Sequence, residues 1–335
     1  MKSRPFIAAM FVVVCALALL AAAPQYKVVK HYPFGGEGGW DYIKTDSASR
    51  RVYIGRATRI MVVDADSGKL IGEVPDVQGA HGAVAAPELG RGFATAGRAS
   101  QVVVFDLKTL KVTGTVPTGE GPDDLLYHPA TKRVWVFNGR SKSATVIDAA
   151  SLKVVATIPL PGRPEAAAAD ERTVFVEIVD KNTIASLDAR DLKITQDWPT
   201  APCEEPTGLD FDAKKGRLYA GCGNKVMAVM DSKNGKVLGS VPIGAGCDGT
   251  VFDPAVGYAF ASAGRDGNVT VVGETSPGKF EAVQTVPTQV SGRTIAIDDK
   301  THQLFIPAAK LQPPAAPGQR PTMEPGSFEL VVVGR

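Results

Sequence analysis

The chain has 335 residues, 44% of them hydrophobic, with 35 glycines and 24 prolines. This is the composition of a globular protein rich in turns, with room for one large domain or two ordinary ones. Formal net charge is +2, and two of the positive charges, Lys2 and Arg4, sit at the extreme N-terminus. The remainder is near neutral, which argues against nucleic-acid binding, where clustered basic charge is expected.

The first residues, MKSRPFIAAMFVVVCALALLAAAPQ, have a short basic start, an apolar core and a run of alanines. The core is short for a membrane span, so 1–23 reads as a signal peptide cleaved among Ala21, Ala22 and Ala23. The expectation is a periplasmic or secreted protein with no transmembrane segment in the mature chain. Cys15 lies deep in that core, outside any lipobox, and Cys203, Cys222 and Cys247 remain after cleavage. Three cysteines cannot all pair within one chain. One disulfide, joining Cys222 to Cys203 or to Cys247, leaves one free thiol.

From residue 26 onward the chain is a repeat array. Strand-ending aspartates stand at Asp64, Asp106, Asp148, Asp188 and Asp231, 40 to 43 residues apart. Each is followed by a turn and a strand ending in proline, such as KVTGTVP and KVVATIP, and preceded by a strand such as RVWVFNG or TVFVEI. Alternation of β-branched and aromatic residues between Gly, Pro, Asn and Asp is a strand signal. Each unit therefore holds four strands, named a to d, and a four-stranded unit of about 42 residues is one blade of a β-propeller. Strands a begin near Trp40, His81, Asp123, Glu165, Thr207, Asp248 and Arg293, which makes seven blades. The seventh lacks a fourth strand, and YKVVKHYPF at 26–34 is an outer strand with no blade of its own. Placing it on the seventh blade closes the ring and removes the open ends of the array. The fold expected is all-β: one seven-bladed propeller of four-stranded antiparallel blades over 24–335, with a Pro-rich loop insertion at 311–326.

Units such as GPDDLLYHPATKRVWVFNGRSKSATVIDAASLKVVATIPLPGRP resemble the YVTN-type, YncE-like family of extracytoplasmic seven-bladed propellers. The resemblance covers the mature chain, although VYIG, VWVF and LYAG stand where Tyr-Val-Thr-Asn would be. It implies the fold and an extracytoplasmic location, and it names no ligand. One member associated with DNA and others beside redox or surface functions are the precedents it brings.

Strand polarity sorts the loops onto two faces. The a–b and c–d turns share one face, where SASRR, PATKR and DSKNGK read as solvated hairpins held by the strand-ending aspartates. The starts of strands a and the b–c loops share the other. There Trp40, His81, Asp123, Glu165, Thr207, Asp248 and Arg293 are expected to converge on the mouth of a central channel, as a cluster of ionisable groups in a concavity. Gly-Arg turns recur in the b–c loops, as in GRATRIMVVD, GRASQVVVFD and GRSKSATVID. They suggest an outer basic rim of Arg56, Arg98, Arg140, Arg265 and Lys310. The insertion LQPPAAPGQRPTMEPG, between strands b and c of the seventh blade, emerges on this face too.

No GxSxG, HExxH or phosphate-loop motif is present. The leading expectation is therefore a binding or interaction scaffold that presents this face to a protein or small-molecule ligand. The alternative is an enzyme of lactonase or lyase type, with His81 as general base and Asp123 or Glu165 as its partner. His81, Asp123, Glu165 and Asp248 offer one nitrogen and several oxygens, which suits a divalent metal assisting that enzyme, although they come from separate blades and no metal ligand set is assigned from sequence.

Overall fold

The computed structural model describes residues 25–314, 316 and 321–335. The expected signal segment, 1–23, lies outside the described residues. Within them the secondary structure is β-strand throughout, apart from two single-turn 3-10 helices at Pro87–Leu89 and Val179–Lys181. No helix among them is long and apolar enough to cross a membrane.

Seven four-stranded antiparallel sheets form a ring, a β-propeller. Strands a of blades 1 to 7 are Trp40–Asp46, Ala80–Ala86, Pro122–His128, Pro164–Ala169, Pro206–Asp212, Cys247–Asp253 and Ala296–Asp298. Blade 7 continues with Gln303–Ala308 and Glu329–Gly334, and its outer strand is the N-terminal Lys27–Pro33. Lys27 lies opposite Gly334 and Pro33 opposite Glu329, so both ends of the chain close the ring, as expected.

Each inner strand is sandwiched between neighbouring blades, which is why strands b and c read as near-continuous apolar runs. In RVWVFN of blade 3, Val134 to Asn138 are all buried. Trp135 and Phe137 pack there against Val174 and Val176 of blade 4. Strands d have one face on solvent, so Val154 and Val155 are each more than two-fifths exposed.

The strand-ending aspartates hold the c–d turns, as the sequence suggests. Asp64 Oδ1 accepts the Ser67 amide at 2.8 Å, Asp106 the Thr109 amide at 2.7 Å and Asp148 the Ser151 amide at 2.7 Å. Of the two disulfides that the sequence allows, Cys203–Cys222 forms, with 5.6 Å between α-carbons, and Cys247 is a buried free thiol. Pro206 pairs with Cys222, so the joint before strand a of blade 5 doubles back over the end of strand b of the same blade. In the insertion, Leu311–Gln312 pairs with Thr322–Met323 as a small hairpin. Met323 anchors it on the cluster of Phe34, Trp40 and Phe328 at the seam of blades 7 and 1.

Candidate functional site: the channel mouth

In blades 1 to 6 the a–b register slips just after the first residue of strand a, for example between Pro122 and Leu125. Such a bulge re-aims the side chain next to it. The second residues of these strands are Asp41, His81, Asp123, Glu165, Thr207 and Asp248. Arg293 holds the same place in blade 7, counted back from Asp298 as Asp41 is from Asp46.

Six of the seven residues expected at the mouth are therefore equivalent, and the seventh is corrected from Trp40 to Asp41. Trp40 is the first residue of its strand, opposite Arg56, and its ring tilts against Phe328 with centroids 5.6 Å apart. A one-residue slip sends a strand side chain to the other side. The signal for Asp41 was in the chain: WDY aligns with PDD of blade 3 and CDG of blade 6.

The ring is wired across blades. His81 Nδ1 lies 2.5 Å from Asp41 Oδ2 and 3.1 Å from Asp123 Oδ1. Arg293 bridges Asp41 Oδ1 at 3.0 Å and Asp248 Oδ2. Glu165 pairs with Arg163 at 2.8 Å, and Tyr42 donates its hydroxyl to Glu165 Oε1 at 3.4 Å from the far side of the channel. Thr207 is different, because its hydroxyl donates to Cys247 O and stitches blade 5 to blade 6. Asp41, His81 and Asp123 each offer one ligand atom, all within 4.8 Å of one another, and so have the chemistry to hold a metal ion.

Electrostatics assign unequal roles. Burial, then the charges of Asp123 and Asp248, push the Glu165 carboxyl up to about 8, against the pull of Arg163. For His81, burial works against the charged form. Hydrogen bonds and charge from Asp123 and Asp41 prevail, and its pKa rises to about 10. That shift favours the protonated imidazole, the form of an acid and not of a general base. Burial likewise raises the Asp248 carboxyl, against the pull of Arg293. Behind the ring lies Glu177, on strand b of blade 4 (Thr173–Ile178), fully buried with neither carboxyl oxygen hydrogen-bonded. Burial and then the Glu165, Asp124 and Asp248 charges keep it protonated.

Below the mouth the channel is plugged from one side. At the third position of strand a, blades 2, 4, 5 and 6 carry only Gly82, Ala166, Gly208 and Gly249, and blade 1 carries Tyr42. The space they leave is what lets Tyr42 reach Glu165 across the axis. Two residues further on, Lys44 spans to Asp124, which is completely buried, at 3.0 Å. A cavity of about 500 Å³ continues from Asp248 past Lys44, Leu126 and Asp210 to Glu88 and Asp299, on the face of the a–b turns. Asp210 accepts the Phe252 amide at 2.6 Å, yet burial raises its carboxyl to about 6. This end of the channel lies outside the positions expected to carry a site. The signal there was Lys44 and Asp210, charged where equivalent positions hold Val84, Leu126, Ala168, Val251 and Ala296.

The rim is smaller than expected. Arg98, Arg140, Arg265 and Lys310 are exposed, and among the described residues none of them pairs with a carboxylate. The arginine stem has a packing role as well: a Cβ at Gly121 (φ 65°) would fall 2.8 Å from Arg140 Cγ. Arg56 does not belong to the rim. It is completely buried, with its guanidinium carbon 3.6 Å from the Phe328 ring centroid and Nη2 donating to Glu37 O at 2.9 Å. The b–c turn of blade 1 has two residues between Arg56 and Arg59, whereas that of blade 2 has four between Ala96 and Gln101. Aligning by the Gly-Arg pair hides that difference, and Arg56 falls on the strand instead of the loop.

No family model and no curated protein matches this chain. Among solved structures it is similar to Kuenenia stuttgartiensis hydrazine synthase, with a TM-score of 0.70 and 14% identity, over 88% of this chain and 96% of that one. At that identity the likeness speaks to the fold.

Proposed function

We propose that this is an exported binding propeller of YVTN-type repeat character that takes an anionic ligand on the face formed by the strand-a starts and the b–c loops. The observation that carries the reading is the charge arrangement. Arg98, Arg140, Arg265 and Lys310 stand exposed at matching places of four b–c loops, none of them paired with a carboxylate among the described residues, around a mouth whose own charges are already paired. Exposed, unpaired cations steer and hold anions, and the effect is screened by salt.

The test is fluorescence anisotropy with a labelled oligoglutamate peptide, run against an oligolysine control. The expected result is selective, salt-sensitive binding of the acidic peptide, weakened about tenfold or more when Arg98, Arg140 and Arg265 become Glu. Equal binding by the triple variant overturns the reading. An oligonucleotide that outcompetes the acidic peptide moves it to nucleic acid.

One observation favours a second reading, catalysis at the mouth: Glu165 holds its proton close to neutral pH. In that case Glu165 is the acid/base and His81 the polarising cation. Turnover on a lactone panel that follows a pKa near 8 and vanishes in Glu165→Gln would establish it.

A further inference from the structure

The geometry points to a first-row divalent transition cation, such as zinc or manganese, bound at the channel mouth by Asp41 Oδ2, His81 Nδ1 and Asp123 Oδ1, with the cation replacing the Nδ1 proton, which leaves to solvent. This rests on the reading of the mouth as the binding face and adds its inorganic component. Bonds of about 2.0–2.2 Å to a cation place neighbouring ligand atoms about 3.0 Å apart at right angles and about 3.5 Å apart in a tetrahedron. The Nδ1–Asp123 separation of 3.1 Å already fits, and the Nδ1–Asp41 separation of 2.5 Å opens by a fraction of an ångström.

The neighbours are built as supports. Arg293 occupies the other oxygen of Asp41, which fixes the carboxylate plane and leaves Oδ2 to the site, as outer partners of metal ligands commonly do. On the far edge of the imidazole, a Cβ at Gly97 would sit 2.6 Å from Nε2, so the glycine provides the cradle for the ring. Elsewhere on this face, on blade 4, Glu177 is fully buried with neither carboxyl oxygen partnered. One imidazole with two carboxylates suits zinc or manganese. Calcium, which wants six to eight oxygens, finds too few. A cation there would also offer the anionic ligand a partner at the centre of the rim.

The test uses the mature chain, stripped with chelator and titrated calorimetrically with zinc, manganese, calcium and magnesium chlorides. One zinc or manganese ion per chain is expected, with binding weakened at least about tenfold by Asp41→Asn, His81→Gln or Asp123→Asn, and unchanged by Glu73→Gln on the surface. Pulsed EPR of the manganese-loaded wild type should show coupling to one nitrogen, lost in His81→Gln. Absence of stoichiometric binding overturns the proposal, as does binding indifferent to the three substitutions or a manganese spectrum without nitrogen coupling. The spectrum needs no variant to fold. If the acidic peptide binds and no metal does, the cation falls and the binding face stands; if metal binds and the peptide does not, the reverse holds.

Discussion

The two faces of the ring both carry repeated carboxylates, and they use them differently. At the c–d turns, Asp64, Asp106 and Asp148 are satisfied within three residues of themselves by Ser67, Thr109 and Ser151, and those bonds lower their carboxyl pKa values. At the channel mouth, Asp41, Asp123, Glu165 and Asp248 face partners in other blades or lie under burial, and Glu165 and Asp248 are pushed upward. A carboxylate satisfied by its own turn is part of the architecture. One that finds its partners 40, 123 or 252 residues away is placed by the whole ring.

The contrast can be broken most forcefully at the axis. Tyr42→Ala should cost about 3 kcal/mol or more in urea unfolding, since it empties space that four small residues leave open. Asp148→Ala, which removes only turn bonds, should cost about 1 kcal/mol. If the two losses were equal, the distinction between ring-placed and turn-placed groups would fail.

The next effect is in pH. Glu165, Glu177 and His81 all have folded pKa values above their ordinary ones. Their contributions are intact below the unfolded values and are lost as pH rises through the folded ones. For Glu165 the window runs from the ordinary 4.5 to about 8. The turn aspartates behave oppositely, losing their contribution only as pH falls below about 4. The melting temperature should therefore decline from about pH 5 to 9, and Glu177→Gln should raise it at pH 8 by about 2–4 °C while leaving it little changed at pH 4. A flat profile in the wild type would contradict the assignment. The smallest effect is expected at the rim, where Arg98→Ala and Arg140→Ala should alter stability by less than about 0.5 kcal/mol in the same unfolding assay.

Much of the fold was legible because its signals are local. Period-two alternation, Asp and Gly at turns and a spacing of 40 to 43 residues identify blades one at a time, and the unpaired strand at 26–34 identifies the closure. The ring was legible to within one residue. Trp40 and Asp41 are neighbours in sequence, and only the bulge decides which of them faces the axis.

What the sequence by itself determined is the seven-bladed ring, its closure by strands from both ends of the array and the equivalence of six strand-a positions. Those follow from patterns repeated in every unit. The tertiary structure decided the rest: Asp41 over Trp40, a buried Arg56 where a rim residue was expected, Cys203 over Cys247 as the partner of Cys222, and Tyr42 and Lys44 as the plug. Each turns on a shift of one or two residues, or on a contact across the axis between blades far apart in sequence. Repeat equivalence is averaged over blades, and these features exist because individual blades depart from the average.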